Sequence, residues 1–338
     1  MAASSDVPSS MQCIIAEEGK AVKVERPVPV PEEGQVLIKV ASTAINRADT
    51  LQRKGKVPPP PGVTDILGLE AAGTVVGHGK SVDASALPPI GSQVMALLSG
   101  GGYAEYVTVG ADQVMPVPEG MDIVSAGGVP ETWLTAFQLL HTIAEVQAGD
   151  TVLVLAAGSG VGTAAIQLAV AAGAKPIAVA GSAAKLDNAA ALGAIAGFNY
   201  KEGSYADGVK EATGGKGVDI ILDCVGGSLW DANAAAIAVE GRWVLYGLLG
   251  GPSPEGPVLA HLMRKRIRLQ ATTLRARSQA YKANLVAGLT PLLGNFKSGA
   301  FSLVVDTVFD GLDKVQAAHD VMESNANMGK LIVKVHGS

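Results

Sequence analysis

The stretch "TVLVLAAGSGVGTAAIQLAVAAG" (151–173) constrains this chain more than any other. An apolar β-branched run, a glycine turn and an alanine-rich segment of helical character follow one another. Gly158, Gly160 and Gly162, with Ser159 and Val161 between them, permit a tight turn and let the backbone close on a pyrophosphate. The phosphates then lie at a helix N-terminus, where N–H groups and the macrodipole favour negative charge. A glycine pattern alone is weak. Set between a strand and a helix, it predicts a dinucleotide-binding turn.

The texture on either side fits. From residue 151 the runs "TVLVLAA", "PIAVAG", "GFNY", "VDIILDCVG", "RWVLYG" and "IRLQATT" alternate with helix-length segments. That is the pattern of βαβ units building a doubly wound parallel sheet, a Rossmann domain. The first third differs: "QVLIKVAST" and "EYVTVG" read as strands, separated by "PVPVPEEG" and "VPPPPG". "NRADTLQRKG" (46–55) has helical spacing and stops on Gly55, and "ETWLTAFQLLHTI" (131–143) predicts a linking helix. After a further helix at 278–293, "SLVVDTVFD" and "GKLIVKV" return to strand. The expected architecture is α/β: a β-rich domain from 11–134 and 275–338, interrupted by a Rossmann domain at 135–274. Residues 1–10 are expected to form a disordered leader.

The second βα junction bears on the cofactor. An NAD site usually carries an acid about 20 residues beyond the glycines, on the ribose hydroxyls. "KPIAVAGSAAKL" (175–186) has none; it offers Gly181, Ser182 and Lys185, a hydroxyl and an ammonium suited to a 2′-phosphate. NADPH is expected. The alternative is that Ser182 caps the next helix and Lys185 is solvated.

Composition excludes other classes. A net charge of −5 argues against a general polyanion binder. The basic cluster "RKRIR" (264–268), with Arg275 and Arg277, keeps RNA contact as an alternative, although such charges more often solvate a helix end or guard a strand edge. Cys13 and Cys224 make neither a disulfide framework nor a thiolate cage, which suits a reducing compartment. The leader lacks a signal-peptide pattern, and no apolar run approaches the roughly 18 residues of a membrane span. A cytoplasmic location away from the membrane is expected. His78, His141, His261, His319 and His336 include no two close enough to form a ligand pair, so no metal is expected. No Tyr-x-x-x-Lys pair occurs. Alcohol oxidation in such a fold depends on a Lewis acid. Quinone reduction asks mainly for a flat acceptor stacked on the nicotinamide in a shielded site.

"NRAD", "GLEAAG", "GGGYAEYVTV", "ETWLTAFQLLHT", "GFNYKE", "ILDCVGGS", "GRWVLYGLLGG" and "NMGK" together resemble the zinc-free, zeta-crystallin-like quinone oxidoreductases of the medium-chain dehydrogenase/reductase superfamily. Where zinc-dependent members carry a ligand histidine in the stretch matching "GLEAAG" (68–73), this chain has Leu69. The resemblance implies a GroES-like catalytic domain around the Rossmann domain, NADPH-dependent reduction of a quinone or similar planar electrophile, and a homodimer joined through the nucleotide domains. It implies that Asn46 and Asp49 are the catalytic polar residues beside nicotinamide and acceptor, with Asn46 also touching the cofactor. Thr135, Tyr200, Val225, Tyr246, Gly247, Leu248, Leu274 and Lys330 are the further cofactor contacts it implies. Relatives' active-site tyrosine has no counterpart: the two matching places read Leu51 and Val57.

The plainer readings are that Asn46 satisfies loop backbone, Asp49 complements a helix dipole, Leu69 packs the barrel core and Glu70 bonds the glycine turn. Two rival functions remain. One is an NADPH-dependent enone or enal reductase, with Tyr103 as proton donor. The other is a non-enzymatic NADPH- or RNA-binding protein.

Overall fold

The glycine turn at 156–159 joins the strand Thr151–Leu155 to the helix Gly160–Ala171. Ser159 is the N-cap, its Oγ accepting from the Gly162 N–H at 3.0 Å, and this satisfies one of the helix's orphan donors. The computed structural model describes residues 7–80 and 87–335. It divides into two units, Met1–Leu134 with Leu274–Ser338, and Thr135–Thr273.

The second unit carries a six-stranded parallel sheet. From edge to edge its strands are Ala196–Asn199, Lys175–Ala180, Thr151–Leu155, Val218–Asp223, Ile237–Leu245 and Arg268–Ala271. In the unit's own chain order this is 3-2-1-4-5-6, the doubly wound dinucleotide-binding order. All six strands are the six runs expected from the sequence. Leu153, Ile177, Val179 and Ile221 fill its core beside Trp230 and Trp243, whose rings stack at 4.5 Å. Burying Asp223 is made tolerable by four donors: the N–H groups of Val225 and Gly226, Asn233 Nδ2 and Trp243 Nε1.

The basic cluster serves this packing. Lys265 Nζ donates to the carbonyls of Ala234, Ala235 and Ile237, where a helix ends. Arg266 pairs with Glu240 at 3.2 Å, and Arg268 donates to the Ile143 carbonyl. Three of its cations thus have partners within the unit.

The first unit is β-rich. Its main sheet runs Val305–Asp310, Lys330–Lys334, Gln35–Ala44, Glu70–His78, Gln93–Leu97 and Val114–Pro116, with Tyr106–Gly110 also on Gln35–Ala44. Both ends of the chain thus meet in one sheet, where Ile332 pairs with Ala44. Valines 36, 40, 75, 94 and 107 pack one core; Ile45, Leu67, Tyr103, Leu331 and Val333 pack another. The hairpin Ser10–Glu17/Lys20–Pro27 starts inside the expected leader, whose residues 1–6 lie outside the described residues, as does His336. Leu274 falls in this unit, one residue away from the expected boundary. The helix expected to link the halves is Pro130–Phe137, widening into π turns over Gln138–Ile143. Thr135 lies within that helix.

Candidate functional site

In the Rossmann unit the sequence-predicted residues converge. A Cβ on Gly158 would stand 2.7 Å from Cγ and Cδ of Lys185, and one on Gly181 would stand 2.7 Å from the Tyr200 hydroxyl. Only glycine lets these side chains close so tightly over the backbone. Ser182 is the N-cap of Ala183–Ala191, yet its side chain makes no capping bond, unlike Ser159. Ser182 thus occupies the cap position without using its hydroxyl there. The Val225 N–H donates to Asp223, the Tyr246 N–H donates to the Asp223 carbonyl, and a Cβ on Gly247 would meet the Cys224 carbonyl at 2.9 Å. Leu248 is exposed beside Gly226. All of these lie past the carboxyl ends of the strands, where doubly wound sheets bind ligands at the switch of strand order. Cradling glycines, a capped helix start and a neighbouring ammonium fit a dinucleotide with its phosphates.

In the β-rich unit Asn46, Asp49 and Lys330 are likewise brought together, by a carboxylate whose role was misread. Glu70, 0% exposed, accepts from Lys330 Nζ at 2.7 Å, from Asn46 Nδ2 at 2.8 Å and from the Glu131 N–H at 2.9 Å. Its side chain thus organises the site rather than the glycine turn. Lys330 Nζ gives its other two bonds to Asn46 Oδ1 and the Ile45 carbonyl. Asn46 caps the helix Arg47–Arg53, and its N–H donates to Asp49 Oδ2 at 2.8 Å, one arm of a capping box.

Tyr103 is a correction. Its buried hydroxyl donates to Asp49 Oδ2 at 2.7 Å and its ring meets His319 edge-on, so it braces Asp49 instead of supplying protons to an acceptor. Burial, helped by the Asp49 charge, raises its pKa well above the usual tyrosine value. Burial also pushes Asp49 up to about 6, against the bonds from Tyr103 and Asn46 and the charge of Lys330. His319 is held neutral, its pKa lowered to about 3 by burial and by Arg53.

No sequence signal marks Glu131, which burial and the charges of Glu70 and Asp49 push up to about 8. Nor does one single out the group around Ser99. Arg275 Nε donates to the Ser99 carbonyl at 2.7 Å, while Lys282 Nζ donates to Ser99 Oγ at 2.6 Å and the Arg275 carbonyl at 2.8 Å. Arg275 carried only the signal of a charge within a basic run. Leu69 is fully packed, consistent with a core role. Among the described residues no three His, Cys, Asp or Glu side chains are grouped so as to hold a metal ion.

Comparison with known proteins agrees with this geometry. The family described as alcohol dehydrogenase GroES-like domain matches residues 32–119, and that described as zinc-binding dehydrogenase matches 160–288. A quinone oxidoreductase of Salmonella typhimurium is 32% identical, over 90% of this chain and 92% of its own. Prostaglandin reductase-3 of Bos taurus is 28% identical, over 98% of this chain and 91% of its own. A mycobacterial structure in complex with NADPH is 29% identical and superposes with a TM-score of 0.84, covering 96% of this chain and 99% of that one. This chain belongs to the quinone oxidoreductases of the medium-chain dehydrogenase/reductase superfamily, pyridine-nucleotide-dependent oxidoreductases with a GroES-like and a Rossmann-like domain.

Proposed function

We propose that the protein reduces quinones with NADPH and without a metal ion. The observation that carries the reading is the second βα junction, where Gly181, Ser182, Lys185 and Tyr200 gather and "KPIAVAGSAAKL" (175–186) supplies no acid. A ribose 2′-phosphate suits that set: an ammonium for its charge and an uncommitted serine hydroxyl for its oxygens. Gly158, Ser159, Gly160, Val161 and Gly162 hold the pyrophosphate, with Thr135, Val225, Tyr246, Gly247, Leu248 and Leu274 around the nicotinamide end. Bound NADPH supplies a hydride. The chain's own part is to orient a flat acceptor, exclude water and provide fixed charge. Asn46 and Lys330 support this, since their network with Glu70 fixes Asp49 and the start of the helix Arg47–Arg53.

The relative named for prostaglandin reduction favours a second reading, reduction of an enone or enal. Initial rates of NADPH oxidation with 1,2-naphthoquinone and with 2-cyclohexenone separate the two. The proposal expects the quinone to be turned over at least tenfold faster. Equal or faster enone turnover would shift the assignment to the second reading.

A homodimer through the Rossmann units and a cytoplasmic location belong to the same reading. The edge strand Arg268–Ala271 is exposed along its whole length, and Leu259 and Met263 on the helix beside it are 75% and 80% exposed. An apolar strip next to an open strand edge suits a second copy of the chain. Sedimentation of wild type should give a dimer and of Leu259→Asp/Met263→Glu a monomer; monomeric wild type removes the proposal. Cys13 and Cys224 are unbridged and buried. Among the described residues, no helix is long and apolar enough to cross a membrane.

A further inference from the structure

Four buried side-chain atoms of the β-rich unit belong to groups that act on one another and make no hydrogen bond: Asp49 Oδ1, Glu131 Oε2, and Arg275 Nη1 and Nη2. Each such orphan is costly to the fold when nothing satisfies it. These four are complementary in kind. Two are carboxyl oxygens, and the other two are guanidinium nitrogens on which Asp49 and Glu131 both act electrostatically. Arg275 is anchored at two points: its Nε donates to the Ser99 carbonyl, and its own backbone carbonyl accepts from Lys282. Its Nη donors are left uncommitted. Arg275 directly follows Leu274, assigned above to the nicotinamide end, and its charge faces Asp49, assigned to the acceptor.

Building on the quinone-reductase reading, we propose that Arg275 Nη1 and Nη2 receive the acceptor's oxygen as it becomes an oxyanion, and that Glu131 gives that oxygen its proton. Bound NADPH would supply a hydride with its two electrons, and the reduced quinone would be left with an anionic oxygen. The Glu131 O–H bond then breaks and its proton passes to that oxygen, completing the hydroquinone. Glu131 remains as a carboxylate until solvent reprotonates it. A guanidinium with two forward donors stabilises developing oxygen charge as a Lewis acid would, and a carboxyl buried beside like charges keeps its proton near neutral pH. The charges acting on Glu131 are Glu70 and Asp49, which raise its pKa, and Lys330 and Lys282, which lower it; Arg275 is also within their field.

The test uses 4-nitrophenol, whose yellow phenolate stands in for the hydroquinone monoanion, bound to the full chain saturated with NADP+. Wild type should prefer the phenolate, and Arg275→Leu should bind it at least tenfold more weakly, with Arg275→Lys between them and NADP+ affinity unchanged. Equal phenolate affinity in all three overturns the oxyanion site. If Arg275→Leu does not fold by circular dichroism, Arg275→Lys against wild type decides, and equal affinity again overturns the site. For the proton, kcat with 1,2-naphthoquinone should fall above about pH 8 as Glu131 ionises. Glu131→Gln should lower kcat about 100-fold at pH 7 and abolish that fall. An unchanged profile in Glu131→Gln overturns the proton role. Quinone turnover that Arg275→Leu leaves intact sinks this inference and spares the quinone-reductase reading. Arg275-dependent phenolate binding without any quinone turnover supports the anion site and sinks that reading.

Discussion

Lys330→Met is expected to lower the unfolding free energy by about 3–5 kcal/mol, because it strands the Glu70 carboxylate in the interior of the β-rich unit. The pair lies at 2.7 Å with side chains 2% and 0% exposed. Methionine fills most of the volume of lysine, so the loss isolates charge rather than cavity. What remains to Glu70 is Asn46 Nδ2 and the Glu131 N–H. The double variant Lys330→Met/Glu70→Gln should recover a substantial part of the loss, since a neutral amide no longer needs the ammonium. Urea titration of the three proteins measures both effects. A single variant within about 0.5 kcal/mol of wild type would show that water reaches Glu70 and that the network is not sealed. Asn46 contacts both partners, so the damage should extend to the start of the helix that carries Asp49.

Lys185→Glu is expected to weaken NADPH binding about 100-fold and leave NADH binding within a factor of about 3. A charge-assisted hydrogen bond contributes about 1.5–3 kcal/mol, and reversing the charge adds repulsion from the 2′-phosphate. Lys185 packs across Gly158 and Tyr200 across Gly181, so the substitution acts beside the glycine turn without touching the sheet. Nucleotide fluorescence titrations check it. Parallel losses for both nucleotides would mean that Lys185 supports the turn itself and does not read the 2′-phosphate.

The contrast between these two sites explains what was legible in the sequence. Rossmann strands are short apolar runs at regular spacing, and the turn at 156–162 joins residues that are neighbours in the chain. Its pattern, strand order and glycines could therefore be read directly. Lys185 and Ser182 follow one strand later, still within reach of local rules. The network around Glu70 has no such locality: it joins residues 46, 49, 70, 103, 131 and 330 through the tertiary packing of the β-rich unit. Family resemblance pointed to Asn46, Asp49 and Lys330, but nothing in spacing identified Glu70 as the carboxylate between them. Tyr103 was misjudged for the same reason. A tyrosine in a glycine-rich loop looks available, and only the packing of Asp49 and His319 against it reveals a strut. Arg275 lay in a run of positive charge, where its partner Ser99 is 176 residues away.

The most direct test of metal-free quinone reduction is the rate of 1,2-naphthoquinone-dependent NADPH oxidation by protein dialysed against a strong chelator, with metal content measured in the same sample. Metal-free quinone reduction requires a full rate in that protein, unchanged by added zinc. A rate that disappears on dialysis and returns with zinc would contradict it.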